Sequence, residues 1–197
     1  MTASRTRMGG DTADRILDVA QRLVQQRGFN GFSYADVAQE LGISTASLHY
    51  HFAGKSELGE ALISRYASRF AEALEAISAE PLDAPAKLAR YAGLFADVFQ
   101  DQRMCLCGML AAEYQTLPDG MREAVLRFFD DSETWLCAVL AQGEREGTVR
   151  VDGSVRESAR TFLAGLEGAM LLARPSGDIE RLQAATRGLL TGLTNVS

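Results

Sequence analysis

The sequence predicts an all-α protein, with an N-terminal three-helix head that carries a helix-turn-helix and a larger helical body behind it. Three observations predict it. Residues Ser33 to Lys55, SYADVAQELGISTASLHYHFAGK, read as a helix, a tight turn, a second short helix and the start of another. Beyond them, apolar residues recur every three or four positions through long runs bounded by proline, glycine and capping residues. A hydrophobic content of 47% over 197 residues is ample for a buried core.

Residues 1–10 contain Arg5 and Arg7, no acid and no apolar period, and are expected to be a flexible arm. Such an arm either reaches a minor groove or is simply disordered. Asp11 or Thr12 then caps a first helix, whose stripe Ile16, Leu17, Ala20, Leu23 and Val24 runs until Gly28. This helix closes a small core with Phe29, Phe32, Val37, Leu41, Leu48 and Phe52. Ser33 stands as N-cap of the second helix, Gly42 sits where the chain leaves it, and Ser44 caps the third.

The third helix keeps Ile43, Leu48 and Phe52 apolar, while Thr45, Ala46, Ser47, His49 and Tyr50 form the other face. A major groove admits a helix whose leading side chains are short or can bond base edges and phosphates, and this face meets that condition. The competing reading is a helical hairpin that merely packs on the rest of the chain. The next segment favours DNA, because Lys55 and the unpaired N–H groups of a new helix start would together form a phosphate clamp.

Gly28-Phe29, Val37-Ala38, Gly42-Ile43-Ser44, Leu48-His49-Tyr50-His51-Phe52 and Lys55-Ser56-Glu57-Leu58 together resemble the N-terminal domain of the TetR family of transcriptional repressors, over residues 11–66. The resemblance implies an all-helical homodimer with a variable body that binds an inducer. It implies further that Tyr50 and Lys55 hold phosphates and that Thr45, Ala46 and Ser47 face bases. His49 departs from the pattern, in which a tyrosine is usual. The candidate DNA-contacting set is therefore Ser33, Thr45, Ala46, Ser47, His49, Tyr50 and Lys55. The domain division is an arm at 1–10, the helix-turn-helix domain at 11–56, and a regulatory and dimerisation domain at 57–197.

Within the body, a long helix is expected from Ser56 to about Ala79, stiff enough to relay a displacement at its far end to the head. Pro81 and Pro85 end it. Further helices are expected over 84–99, 119–146, 154–173 and 178–194. Phe95, Phe99, Met109, Tyr114, Phe128 and Trp135 could line an apolar cavity or fill the core; the family resemblance implies the cavity. Interior Gly165 and Gly168 suggest the close approach of another helix. The resemblance implies that the last two helices, through Phe162, Leu166, Met170, Leu182 and Leu189, pair with their copies in a four-helix dimer interface. The alternative keeps those faces inside one chain.

Cys105 and Cys107 lie near a helix start and near Arg103, an environment that stabilises thiolate, so they are candidate thiol sensors. Burial as small core residues is the competing reading. The Cys-Leu-Cys-Gly run followed by Ala-Ala-Glu is similar to a branch of TetR-type repressors that includes electrophile-responsive members. Three cysteines at no metal spacing fit a reducing compartment, and His49 and His51 share no helical face, so neither disulfide nor metal is expected.

The net charge of −6 divides unevenly. Residues 1–55 hold six basic and five acidic side chains, leaving 14 against 21 for the rest. A near-neutral head binds non-specific DNA weakly, so sequence-specific contacts and dimerisation must supply the affinity. No apolar run is long enough to span a bilayer and no secretory signal is recognisable, which points to a cytoplasmic protein. No nucleophile–base constellation, metal cluster or phosphate loop is present; Glu113 and Glu167 read as solvated or structural acids, and no cofactor is expected. The expected function is a regulator, most simply a repressor, that binds double-stranded operator DNA and is released by a small-molecule or electrophile inducer. A helical enzyme and an architectural DNA binder without an inducer are the alternatives.

Overall fold

The computed structural model describes residues 3–194, with side chains from Asp11 onward, and all its regular elements are helical. They are α1 (Ala3–Arg27), α2 (Tyr34–Leu41), α3 (Thr45–His51), α4 (Lys55–Ala79), α5 (Ala84–Gln100), α6 (Leu106–Ala112), α7 (Asp119–Glu146), α8 (Val155–Ala173) and α9 (Ile179–Thr194). Short 3-10 turns follow α6 at Tyr114–Thr116 and α8 at Arg174–Ser176. Helix α1 begins at Ala3 rather than at the cap expected at Asp11 or Thr12. Met1 and Thr2, where the expected arm starts, lie outside the described residues. Among the described residues no helix is long and apolar enough to cross a membrane.

The chain forms two compact units. The first comprises residues up to Ala67 together with Leu106–Val125, and the second comprises Ser68–Cys105 together with the chain from Leu126 on. The unit that carries the helix-turn-helix is thus larger than the contiguous 11–56 segment and includes α6 and the start of α7.

In the first unit the expected stripe of α1 is buried with Phe29, Phe32, Val37, Leu48 and Phe52, and Leu106, Leu110, Leu117 and Met121 join the same core. Leu48 and Ile16 are completely shielded, so either to alanine would leave a cavity. The approach at Gly59 is close enough that a Cβ there would stand 2.5 Å from the Met121 sulfur, which only glycine accommodates without displacement. Gly28, at φ +84°, turns the chain out of α1. The turn is then held from a distance: the Glu113 carboxylate accepts hydrogen bonds from the backbone N–H of Phe29 and of Asn30, and the Asn30 side chain donates to Thr116 Oγ1 at 2.8 Å.

In the second unit Leu88, Tyr91, Phe162, Leu166 and Met170 are fully shielded. Helix α8 is started by a capping box in which the Ser154 hydroxyl accepts from the Glu157 N–H while the Glu157 carboxylate accepts from Ser154 N–H. The close approach expected at the α8 glycines occurs at Gly165, where a Cβ would lie 2.8 Å from Leu189 of α9, but Gly168 faces open space. The expected dimer residues need correction. Phe162, Leu166, Met170 and Leu182 turn inward and are buried within the single chain, leaving Leu189 half-exposed. The apolar side chains that α8 presents outward are instead Leu171 and Leu172, 56% and 71% exposed.

Removing the Glu113 carboxylate strands two backbone donors. Glu113→Ala is expected to lower the free energy of unfolding by about 1–3 kcal/mol in urea titration, and Glu113→Gln, which keeps one acceptor, by less. An unchanged midpoint in both would mean that the turn after α1 does not depend on this carboxylate.

Candidate nucleic-acid interface

Two caps and one left-handed residue build the helix-turn-helix. Ser33 caps α2 by accepting from Asp36 N–H, and the Asp36 carboxylate in return accepts from Ser33 N–H at 2.7 Å. These bonds hold the Asp36 carboxyl below the usual range. At Gly42, φ is +66°, and Ile43 N–H reaches back to Ala38 O at 3.0 Å, which ends α2 and reverses the chain. Ser44 then caps α3 through Ser47 N–H at 3.1 Å. With Leu48 wholly buried beneath it, α3 has one anchored face and one open face.

The open face is the one expected. Thr45, Ala46 and His49 are exposed, Ser47 is half-buried, and Tyr50 stands 86% exposed. The Tyr50 ring meets His51 edge-on, with centroids 5.3 Å apart, while the residue stays open to solvent. His49 is held by its Nδ1, 3.1 Å from Ala53 O, and by Tyr34, ring centroids 4.8 Å apart. Tyr34 itself donates to Phe52 O at 3.1 Å, and burial, with Glu57 adding to it, pushes its phenol up to about 12, so it stays neutral.

Two members of the expected contact set have other engagements. The Ser33 hydroxyl is taken up by the capping box. Lys55 does not stand as an open phosphate clamp: its ammonium donates to Phe32 O and lies 4.7 and 4.3 Å from the Phe29 and Phe32 ring centroids. Burial pushes it below the ordinary lysine range, with Glu113 and Asp36 acting the other way. Glu57, moreover, accepts from Ala53 N–H at 2.8 Å, so a carboxylate already sits at the start of α4. Lys55 therefore fastens the loop before α2 to α4, and thereby positions the reading head.

The body residues singled out by sequence are placed as follows. Phe95, Phe99 and Phe128 are core residues, Trp135 is half-buried and stacks on Tyr91 with ring centroids 5.5 Å apart, and Met109 and Tyr114 are half-buried in the first unit. A groove of about 310 Å³ does open beside α8 and α9, but Arg150, Asp152, Glu157, Thr161, Leu189 and Leu193 line it, and none of the six aromatic and methionine candidates does. Cys105 and Cys107 are buried at 3% and 0% exposure, and Arg103 pairs with Asp101. Cys137 is the half-exposed thiol.

The sequence reads Glu113 and Glu167 as solvated or structural acids without saying what either holds. Nothing local signals Glu113, whose partner lies 84 residues away. Glu167 was detectable, since it stands four residues after Leu163 and three before Met170, on the inward stripe of α8. Burial pushes its carboxyl above the usual range, with a hydrogen bond from Cys105 acting the other way. Among the described residues no three His, Cys, Asp or Glu side chains gather as metal ligands.

A family model described as bacterial regulatory proteins, tetR family, matches residues 16–62, and one described as tetracyclin repressor-like, C-terminal domain, matches residues 84–189. The solved structure of a TetR-family transcriptional regulator from Agrobacterium tumefaciens superposes with a TM-score of 0.91 at 35% identity, covering 94% of this chain and 99% of that one. A TetR transcriptional regulator from Legionella pneumophila gives 0.83 at 34% identity, covering 91% and 96%. The HTH-type transcriptional repressor NemR of Escherichia coli strain K12 is 26% identical over 181 residues, 89% of this chain and 90% of that protein.

Tyr50 and Lys55 are expected to separate by kind of defect. Tyr50→Ala should weaken binding to operator DNA by about 1–3 kcal/mol with an unchanged melting temperature. Lys55→Ala should lower the melting temperature, because it removes two cation–π contacts and a backbone hydrogen bond, and lose DNA affinity through that. A stable Lys55→Ala protein with a flatter salt dependence would restore Lys55 as a phosphate contact.

Proposed function

The chain belongs to the TetR family and is a DNA-binding transcriptional regulator, and from that premise we propose that it is a repressor whose dimer leaves its operator when a small molecule binds the body. The observation that carries the DNA side of this reading is the face of α3, with Tyr50 86% exposed above a wholly buried Leu48. That arrangement offers Thr45, Ala46 and Tyr50 to a groove on a helix that cannot rotate. Regulators of this family bind operator DNA and usually act as dimers, so two such helices meet successive major grooves of a pseudo-palindromic site.

The inducer is read as a bound molecule rather than a thiol modification. A reactive sensor thiol needs exposure and a neighbouring cation. Cys105 and Cys107 have neither the exposure nor Arg103, which pairs with Asp101. The dimer is assigned to α8 and α9, through the outward Leu171 and Leu172 and the open backbone at Gly168, in place of the four buried residues first considered.

Two measurements test this. Fluorescence anisotropy against DNA from the protein's own upstream region, at two salt concentrations, should show sequence-specific binding whose logarithmic salt slope gains about −0.9 per phosphate neutralised. N-ethylmaleimide should release DNA no more readily from the parent than from the Cys105→Ser, Cys107→Ser double variant; release from the parent alone would reinstate the thiol reading. For the dimer, Leu171→Arg with Leu172→Arg should sediment as a monomer with the parent's helix content, and a variant that remains dimeric would move the interface elsewhere.

A further inference from the structure

A second buried feature of the body has no part in the DNA interface. Tyr91 and Ser132 are 0% and 1% exposed, yet neither hydroxyl oxygen has a hydrogen-bond partner of good geometry, although Ser132 is near enough to bias the Tyr91 phenol. Glu167 joins them electrostatically, and its Oε1 is likewise shielded from solvent and without a partner. The influences on Glu167 are its burial and the bond from Cys105, and neither is a cation. Buried polar atoms are nearly always paired, so three shielded oxygens without a well-formed bond, two of them facing each other and the third acting on Tyr91 electrostatically, mark something that pairs them.

The surroundings state its chemistry. The Tyr91 ring lies among Phe70, Phe95, Trp135 and Phe162, at centroid distances of 5.8, 5.5, 5.5 and 6.3 Å. Aromatic faces, a carboxylate and hydroxyl oxygens together are attractive to a positive group that also carries N–H donors. Glu167 and Trp135 are each half-buried as residues, so part of each reaches solvent, while the carboxyl oxygen Oε1 is shielded.

We propose that Tyr91, Ser132 and Glu167 form a recognition site for a small organic ammonium ion, with Glu167 as its counter-charge, the hydroxyls as acceptors of its N–H bonds and the surrounding rings as its apolar walls. That this ion is the releasing effector rests on the repressor reading; that the site binds it does not. An unpaired oxygen trio satisfied only by water would leave the same groups buried, and the charge of the ligand separates the two cases.

Trp135 is the single tryptophan of the chain and reports on the site directly through its stack on Tyr91. The test titrates the full-length protein with benzylammonium, benzyl alcohol and benzoate, which share a ring and differ in charge, and follows Trp135 fluorescence. Saturable binding of benzylammonium, at least about tenfold tighter than either companion, is expected, with that preference lost in Glu167→Gln and the affinity reduced several-fold in Tyr91→Phe. Melting curves confirm that both variants fold, and either one alone suffices for the test. No saturable change with benzylammonium, an unaltered preference in Glu167→Gln, or tighter binding of benzoate would each overturn the site. Operator DNA followed in parallel keeps the readings apart: saturable binding without release supports the site and removes the effector role alone, whereas absence of DNA binding counts against the repressor reading and leaves the fluorescence result to judge the site.

Discussion

The carboxylate of Glu113, accepting from the backbone N–H groups of Phe29 and Asn30, is the contact on which the composition of the DNA-binding unit depends. Without it the turn after α1 would be a glycine-led reversal with two unpaired donors, held by Gly28 N–H to Val24 O at 2.9 Å and Gly31 N–H to Gly28 O at 3.3 Å. Together with Leu106, Leu110, Leu117 and Met121 in the shared core, it ties the segment that begins at α6 to the same compact unit as the helix-turn-helix. Asn30 to Thr116 repeats the tie a short distance on, and Glu113 also acts electrostatically on Lys55, whose ammonium holds the Phe32 carbonyl. A chain of polar contacts thus runs from Thr116 and Glu113 through the α1–α2 turn to the first residue of α4, beneath a reading face anchored by Leu48.

This economy of charge bears on how the protein must bind DNA. The head has hardly any net positive charge, and part of what it has is committed internally: Lys55 to Phe32 and Arg22 to Glu40. Counterion release then contributes little, and the non-specific complex is weak. Affinity must then come largely from sequence-specific contacts, for which Thr45 and Ser47 on the open face of α3 are the candidates. Where two heads act as one dimer, as is usual in the family, the second contact is made at high effective concentration.

How much was readable in advance follows the range of the forces involved. Helix α7 was expected over 119–146 and occupies Asp119–Glu146, and the Ser33 and Ser44 caps and the Gly42 turn sit where expected. Each rests on neighbours within a few positions, which periodicity and capping chemistry record directly. The orientation of Lys55 did not follow, because it is decided by rings 23 or more residues away that compete with solvent and phosphate for the same ammonium. Helix α8 lies where expected, but which of its faces turns outward did not follow, for another reason. It is apolar on two sides, with Phe162, Leu166 and Met170 on one and Leu171 and Leu172 on the other, and a helical wheel cannot say which side faces its own core. The candidate pocket aromatics were ambiguous in the same way, and most of them are core.

The buried polar group at Tyr91, Ser132 and Glu167 has a thermodynamic consequence of its own. Unpaired polar atoms in a core lower its stability, and a ligand that pairs them returns that stability only while it is bound. A ligand can shift a conformational equilibrium only by its difference in affinity for the two states. A ligand that pairs Glu167 Oε1 in one state and not in the other would supply such a difference. Glu167 already receives the hydrogen bond of Cys105, whose own N–H lies 3.2 Å from the Met170 sulfur. An ammonium ion at Glu167 would take the carboxyl oxygen that the Cys105 bond leaves unpaired, so that ligand and thiol would share one carboxylate.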